Sequence, residues 1–242
     1  MRIVALLSSV LILGACHANG HASDRDSGPA ESRNFPVAAF DRIALSGSPD
    51  VIVTVGAAPS VRAEGTAASL DRLEITSEGG QLRIGTRNGS NWSWFGGGSH
   101  RGITVHVTVP SLVATATAGS GDIRIDRIDS PRFAGSISGS GDLQIAALRA
   151  PETTFSVTGS GGIHAAGTSR HANASVTGSG DIDLSGLEAT DAELAVVGSG
   201  DVSVRATGTA AISIQGSGDV TVTGPARCTI NKSGSGEAHC NG

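Results

Sequence analysis

Apolar and polar residues alternate along most of this chain. Ile123/Ile125, Leu143/Ile145, Ile182/Leu184, Val202/Val204 and Val220/Val222 are each spaced by two, as are Phe155/Val157, Leu194/Val196 and Ile212/Ile214, and Phe133 and Ile137 continue the parity. A period of two puts these side chains on one face of a strand, which then has to be covered. Between the two strands of each unit stands Gly-Ser-Gly-Asp, starting at Gly119, Gly139, Gly178, Gly198 and Gly216, with Gly-Ser-Gly-Gly at Gly159 and Gly-Ser-Gly-Glu at Gly234. Successive starts are 20, 20, 19, 20, 18 and 18 residues apart. A third apolar position recurs at Ile128, Leu148 and Leu187. Each unit therefore reads as strand, sharp corner, strand, looser corner.

No such unit can bury its own apolar face, whereas stacked units can. The prediction is an all-β chain: a right-handed, single-stranded parallel β-helix (a β-solenoid) of about seven coils of 18–20 residues, preceded by an N-terminal β region that starts the helix. The hand follows from the general crossover preference. Gly47-Ser48-Pro49-Asp50 reads as an older cousin of the corner. Stacking places Ser120, Ser140, Ser160, Ser179, Ser199, Ser217 and Ser235 in one ladder. The acids Asp122, Asp142, Asp181, Asp201, Asp219 and Glu237 form the next, with rungs ~4.8 Å apart. The acids are expected to cap local backbone N–H groups, as in Asx turns. The rival reading is a calcium site of the RTX type. Against it, RTX repeats place one residue between the second Gly and the Asp, the opposite half-coil carries no matching acidic turn, and Gly162 interrupts the ladder.

Residues 34–115 read as further strands at Phe40–Leu45, Val51–Val55, Ser60–Ala63, Leu73–Ser77, Gln81–Thr86 and Ile103–Val109. Glu78-Gly79-Gly80 is a hairpin turn and Ala67–Arg72 one helical turn. Asn88–His100 breaks the pattern and holds Trp92, Trp94 and Phe95. Clustered aromatics there suit sugar stacking, a partner groove or the membrane interface. Alternatively they plug the N-terminal end of the solenoid.

Composition supports a thin core. Of 242 residues 35 are Gly, aromatics make up 3%, and there is no Tyr. Collagen is excluded because Gly has no period of three, and disorder because hydrophobic residues reach 38% against 16% charged. The net charge is −5 with no basic stripe, which argues against nucleic acid as a partner. Catalysis on a β-helix needs convergent carboxylates, or Arg/Lys with a metal. The outward positions after the corner are Arg124, Gln144, His164, Asp183, Ser203 and Thr221, a mixed set. His100, His106, His164, His171 and His239 occupy unrelated places in the repeat, and no nucleophile elbow or phosphate loop occurs. The expectation is a non-enzyme with neither metal nor cofactor. A carbohydrate-active β-helix and a self-associating structural protein are the alternatives.

The N-terminus carries its own signal. Met1-Arg2 precedes an apolar run, Ile3–Leu13, too short to span a bilayer. Leu13-Gly14-Ala15-Cys16 resembles the bacterial lipobox, which implies cleavage before Cys16 and lipidation of that residue. Two or more acyl chains give stable anchoring. His17 after the Cys, by similarity to Gram-negative lipoproteins, implies the outer membrane. The expected organisation is a signal peptide at 1–15, a flexible polar tether at 16–33 and the solenoid domain at 34–242. His17 and His21 read as bystanders in the tether. Lipidation of Cys16 leaves Cys228 and Cys240 for one disulfide in an oxidising compartment. They align with Ala210 and Val222, which are inward positions, while Lys232 takes the apolar slot of Ile214 and guards an open edge.

A family resemblance rests on the order of five segments. These are Phe40-Asp41-Arg42-Ile43-Ala44-Leu45-Ser46-Gly47, Asp50-Val51-Ile52-Val53, Gly80-Gln81-Leu82-Arg83-Ile84, Ile103-Thr104-Val105-His106-Val107-Thr108-Val109-Pro110-Ser111-Leu112, and the Gly-Ser-Gly-Asp repeats. This order resembles the bacterial head GIN domain family, labelled "putative autotransporter adhesin", over residues 34–242. The resemblance implies a right-handed β-helix on an envelope protein, without established catalytic residues. A glycan or a surface protein is the expected partner, besides the membrane reached through the lipid.

Overall fold

The computed structural model describes residues 29–87 and 102–241. From Ala114 onward the chain winds as stacked parallel strands, in agreement with the period-two pattern. Arg132–Gly139 lies in register between Ala114–Gly119 and Glu152–Gly159. The stack continues through Gly162–Gly178, Asp181–Gly198 and Val202–Gly216 to Arg227–Gly234. Gly119, Gly139, Gly159, Gly178, Gly198, Gly216 and Gly234 form one column without a slip. Register shifts fall instead at the opposite corner, between Ile145 and Leu148, His164 and Gly167, and Leu184 and Glu188. Variation in coil length is absorbed there.

Backbone contact explains why the first corner tolerates no slip. The Gly119 carbonyl accepts two N–H groups from the next coil, those of Ser140 (2.9 Å) and Gly141 (3.2 Å). Gly139 does the same for Ser160 (2.9 Å) and Gly161 (3.0 Å). The first glycine of each corner has positive φ, 132° at Gly119 and 129° at Gly198. The second needs closeness: a Cβ on Gly200 would lie 1.9 Å from the Gly180 carbonyl oxygen.

Inward side chains fill the narrow interior as the alternation predicts. Ile123, Leu143, Ile163, Ile182, Val202 and Val220 line one wall and are 0–2% exposed. The opposite wall alternates in size. One column reads Thr115, Gly135, Phe155, Ala174, Leu194 and Ile212. Gly135 leaves room for the tilted ring pair Phe133–Phe155, whose centroids are 6.1 Å apart. Tight interiors accept such compensation and reject voids.

Six of the seven N-terminal strands match the expected segments, and the strands do not stack in chain order. These are β1 (Ala30–Phe35), β2 (Arg42–Gly47), β3 (Asp50–Val55), β4 (Ser60–Thr66), β5 (Leu73–Glu78), β6 (Gln81–Thr86) and β7 (Thr104–Val109), with helix α1 (Ala67–Leu70) between β4 and β5. The β2–β3 coil stacks on the first repeat coil, β8 (Ala114–Gly119) and β9 (Ile123–Ile125), with Gly47 opposite Gly119. Its other side is covered by β6 and β7. The earlier coil thus lies between two that follow it in sequence. Beyond them β5 adds antiparallel to β6 through Gly79-Gly80, both at positive φ, and β4 adds antiparallel to β7. Thr66 caps α1 by accepting the Ser69 N–H at 3.2 Å. Leu70 and Leu73 are buried in the core cluster beside this turn.

One boundary is corrected. The folded body starts at Ala30, inside the stretch expected to be tether, because β1 pairs antiparallel with β4 along its whole length. Arg33 anchors it to Asp71 (3.0 Å) and to the Leu70 carbonyl (3.3 Å), and Phe35 packs on the core. Its sequence lacks apolar alternation because it is a largely exposed outer strand. At the other end Cys228 and Cys240 form the expected disulfide, their Cα atoms 6.6 Å apart. Lys232 stands opposite Ile214 and donates from Nζ to the Gly236 carbonyl at 3.2 Å, which no further coil covers. Ile230, opposite buried Ile212, is 46% exposed at this open end.

Gly200→Ala is expected to lower unfolding free energy by about 3 kcal/mol or more, since neither backbone can yield without breaking the column. Ser199→Ala, at an exposed position, is expected to stay within about 0.5 kcal/mol. Denaturant titration followed by circular dichroism checks both.

Candidate functional site

The acidic ladder is present, but its bonding differs from the Asx turns expected. Each carboxylate reaches across to the next coil. Asp50 Oδ1 accepts the Asp122 N–H (3.2 Å), Asp122 Oδ1 that of Asp142 (3.0 Å), and Asp142 Oδ1 that of Gly162 (2.8 Å). Asp181 serves Asp201, Asp201 serves Asp219 and Asp219 serves Glu237, each at 2.8 Å. Gly162 has no carboxylate to offer, so the Asp181 N–H turns to the Gly161 carbonyl at 3.3 Å. Among the described residues no coil stacks on that of Glu237, whose carboxylate pairs with His239 at 3.1 Å. An amide at the corner's exit has no strand carbonyl to meet, and a short acid one rung back supplies the acceptor. One oxygen of each aspartate is thereby occupied, whereas calcium asks for six to eight oxygens around one point. Among the described residues no group of three or more His, Cys, Asp or Glu side chains converges to hold a metal ion.

A second ladder runs beside the acids on the outward face. Ile52, Arg124, Gln144, His164, Asp183, Ser203, Thr221 and His239 stand in lateral register over eight coils. Seven steps of ~4.8 Å give a row of about 34 Å. Three overlapping depressions follow it. A hollow of about 440 Å³ is lined by Ile52, Arg124, Gln144, Ala146 and His164. One of about 200 Å³ adds Asp142, Asp181 and Asp183. A third, of about 340 Å³, runs from Asp183 over Ser203 and Thr221 to His239. Together they make one shallow trough. Its Ile52 end carries Arg124 and apolar surface, and its far end is acidic.

The structure brings together three residues that look unrelated in sequence. His164 Nδ1 lies 2.9 Å from Asp183 Oδ2, and Ser203 Oγ donates to Asp183 Oδ1 at 2.7 Å. The Ser185 N–H also donates to Asp183 Oδ1, at 2.9 Å. Burial alone would raise the Asp183 pKa. Hydrogen bonds from the Ser185 side chain and backbone and from Ser203, with the His164 charge, outweigh it and lower the pKa to about 2. The carboxylate sits between the other two groups. Ser203 and His164 are two rungs apart, ~9.6 Å, so the imidazole cannot take the hydroxyl proton. This is a charged clamp across three coils and not a nucleophile with its base. The available signal was register: residues 19 or 20 apart are neighbours once the coil length is known.

Cys16, Trp92, Trp94 and Phe95 lie outside the described residues. The flanks of the aromatic segment are described. Thr86 lies over Gly47, its Oγ1 3.3 Å from where a Cβ would stand. Arg87 donates its N–H to the Arg72 carbonyl at 2.9 Å.

Asp201→Ala is expected to destabilise the fold by about 1 kcal/mol, an exposed bond to a charged acceptor. Asp201→Asn keeps an acceptor oxygen and is expected to recover most of that loss. Thermal melts with and without Ca²⁺ check this, and a calcium-dependent rise in Tm would contradict the capping role.

Comparison with known proteins agrees with this architecture. A "putative adhesin" of Bacteroides fragilis superposes with TM-score 0.77 at 19% identity, covering 88% of this chain and 98% of its own. A "putative lipid binding protein" of Parabacteroides distasonis gives 0.70 at 24% identity, covering 88% and 97%. A "putative adhesin" of Parabacteroides merdae gives 0.70 at 17%, with the same coverage. At such identities these likenesses show the fold alone. No curated protein matches the chain. The family model described as "Putative auto-transporter adhesin, head GIN domain" matches residues 39–226, the span of β2 through the last complete coils, and the chain belongs to that family.

Proposed function

We propose that this chain is a non-enzymatic, lipid-anchored binding module of the bacterial envelope, holding an extended glycan or surface protein segment along the outward trough. The observation that carries this reading is the trough itself: eight rungs of registered side chains, long and shallow, with its one His–Asp–Ser contact arranged as a clamp. Adhesin-like family membership agrees with a surface or envelope setting. The lipobox at Cys16 and His17 after it support anchoring, with the outer membrane of a Gram-negative cell as the site.

The carbohydrate-active alternative has one point in its favour. Asp181, Asp201 and Asp219 stand one rung apart, ~4.8 Å, near the separation of a retaining glycosidase pair. Such an enzyme also needs an acid kept protonated by an apolar pocket, and these three side chains are exposed. The binding reading assigns Trp92, Trp94 and Phe95 a share in holding the ligand, as aromatic side chains that stack on sugars.

Replacing Cys16 by Ser is expected to abolish palmitate labelling and to move the protein from the membrane to the soluble fraction. On a glycan array the wild type is expected to retain at least one polysaccharide class. Arg124→Ala with Gln144→Ala should weaken that retention at least tenfold with Tm unchanged. Release of reducing ends from any polysaccharide would overturn the non-enzymatic reading.

A further inference from the structure

The looser corner carries a feature separate from the trough. A cavity of about 240 Å³ lies there, between the coil of Leu143–Gly159 and that of Gly162–Gly178, and reaches to Thr190 on the next. Arg149 and Arg170 line it, with Thr168, Ser169, Thr190 and Pro151. It sits beside the register shift where one coil is a residue shorter and Gly167 stands opposite Leu148. The dent thus arises where an otherwise regular stack changes length.

Among the described residues the two arginines carry no ion pair, as is also true of Arg72, Arg83, Arg127, Arg132 and Arg227. Arg33, Arg42, Arg62, Arg87, Arg124 and Arg205 are each paired with a carboxylate. Among the described residues neither Arg149 nor Arg170 forms an ion pair or side-chain hydrogen bond. Of the nearby acids, Glu188 holds Arg205 at 3.4 Å, and Asp191 accepts from Thr209 Oγ1 at 2.6 Å and contacts His171 at 3.3 Å, while Glu152 beside Pro151 makes no ion pair among the described residues. Asp129 is the lateral neighbour of Arg149 one coil back and makes no ion pair with it. Two guanidinium forks without ion pairs on neighbouring coils, in a cavity that Thr168 and Thr190 also line, offer donors of the kind a tetrahedral oxyanion takes.

We propose that this cavity is an oxyanion site that binds a phosphate group with three terminal oxygens free. The group has two sources, inorganic phosphate or the monoester of a phosphorylated lipid headgroup, and both present such a set of oxygens. The test is isothermal titration of the full chain with inorganic phosphate and, separately, with water-soluble dihexanoyl phosphatidic acid, using dihexanoyl phosphatidylcholine as the blocked diester. The expected result is saturable binding of inorganic phosphate, of dihexanoyl phosphatidic acid or of both at one site per chain, lost at least tenfold in Arg149→Gln/Arg170→Gln. Arg132→Gln, which removes an exposed arginine outside the cavity, is expected to leave affinity within twofold. Binding of phosphatidic acid alone assigns the headgroup as the source, and equal binding of inorganic phosphate assigns the free anion. Absence of saturable binding by the wild type, or an equal loss in Arg132→Gln, overturns the site. Thermal melts of each variant identify any loss due to unfolding, and Arg149→Lys/Arg170→Lys, which keeps both charges, should bind more tightly than the glutamine pair.

Discussion

The repeat coils of this protein rest on one contact, the carbonyl of a corner glycine receiving amides from the next coil with no side chain between, two at Gly47, Gly119, Gly139, Gly159 and Gly198 and one at Gly178 and Gly216. The 1.9 Å that a Cβ on Gly200 would leave to the Gly180 oxygen shows how little space the contact allows. That closeness dictates the glycine pair, and the pair locks register at one edge of the stack. Because register is locked there, coil length can vary only at the opposite corner, and it does. The strictness of one edge and the tolerance of the other have the same cause.

The acidic ladder is a second consequence. A chain leaving so tight a corner exposes an amide that the regular strand pattern does not reach, and an aspartate one coil back is the smallest side chain that can. The ladder therefore looks like a ligand site from its charge and behaves as scaffold in its bonding. Where glycine replaces the acid, at Gly162, the following amide makes a longer bond to a backbone carbonyl and the column continues unbroken. Function is better sought on surfaces the stacking does not use: the outward faces of the strands and the irregular corner.

Much of the fold was legible because period-two alternation and a repeated tetrad are local in sequence and global in effect. Inward positions such as Phe155, Leu194 and Val204 followed from parity alone, and the alignment of Cys228 with Ala210 followed from counting. Four things were not legible. Strand β1 has no apolar face, so nothing in Ala30–Phe35 distinguishes an edge strand from a tether. Thr115 and Thr117 fill inward slots with polar residues whose β-branched shape, more than their chemistry, suits the wall; both are 3% exposed. The insertion of β2–β3 between coils that come later leaves no trace in strand composition and only a faint one in Gly47-Ser48-Pro49-Asp50. The clamp of His164, Asp183 and Ser203 was hidden for another reason: lateral neighbours are a full coil apart in sequence, so their meeting depends on register and not on any motif.

The displaced β2–β3 coil has a bearing on how the molecule is made. Synthesis from the N-terminus presents β2 and β3 early, yet one edge of that coil waits for β9, with Val51 meeting Ile123, and the other for β7, with Val53 meeting Val107. Assembly cannot proceed coil by coil from the leading end, as it could in a solenoid wound in strict order. The leading segment stays open-edged until the repeats arrive to serve as its template, and a chain interrupted near Pro110 would lack one of the two surfaces on which its first coil is built.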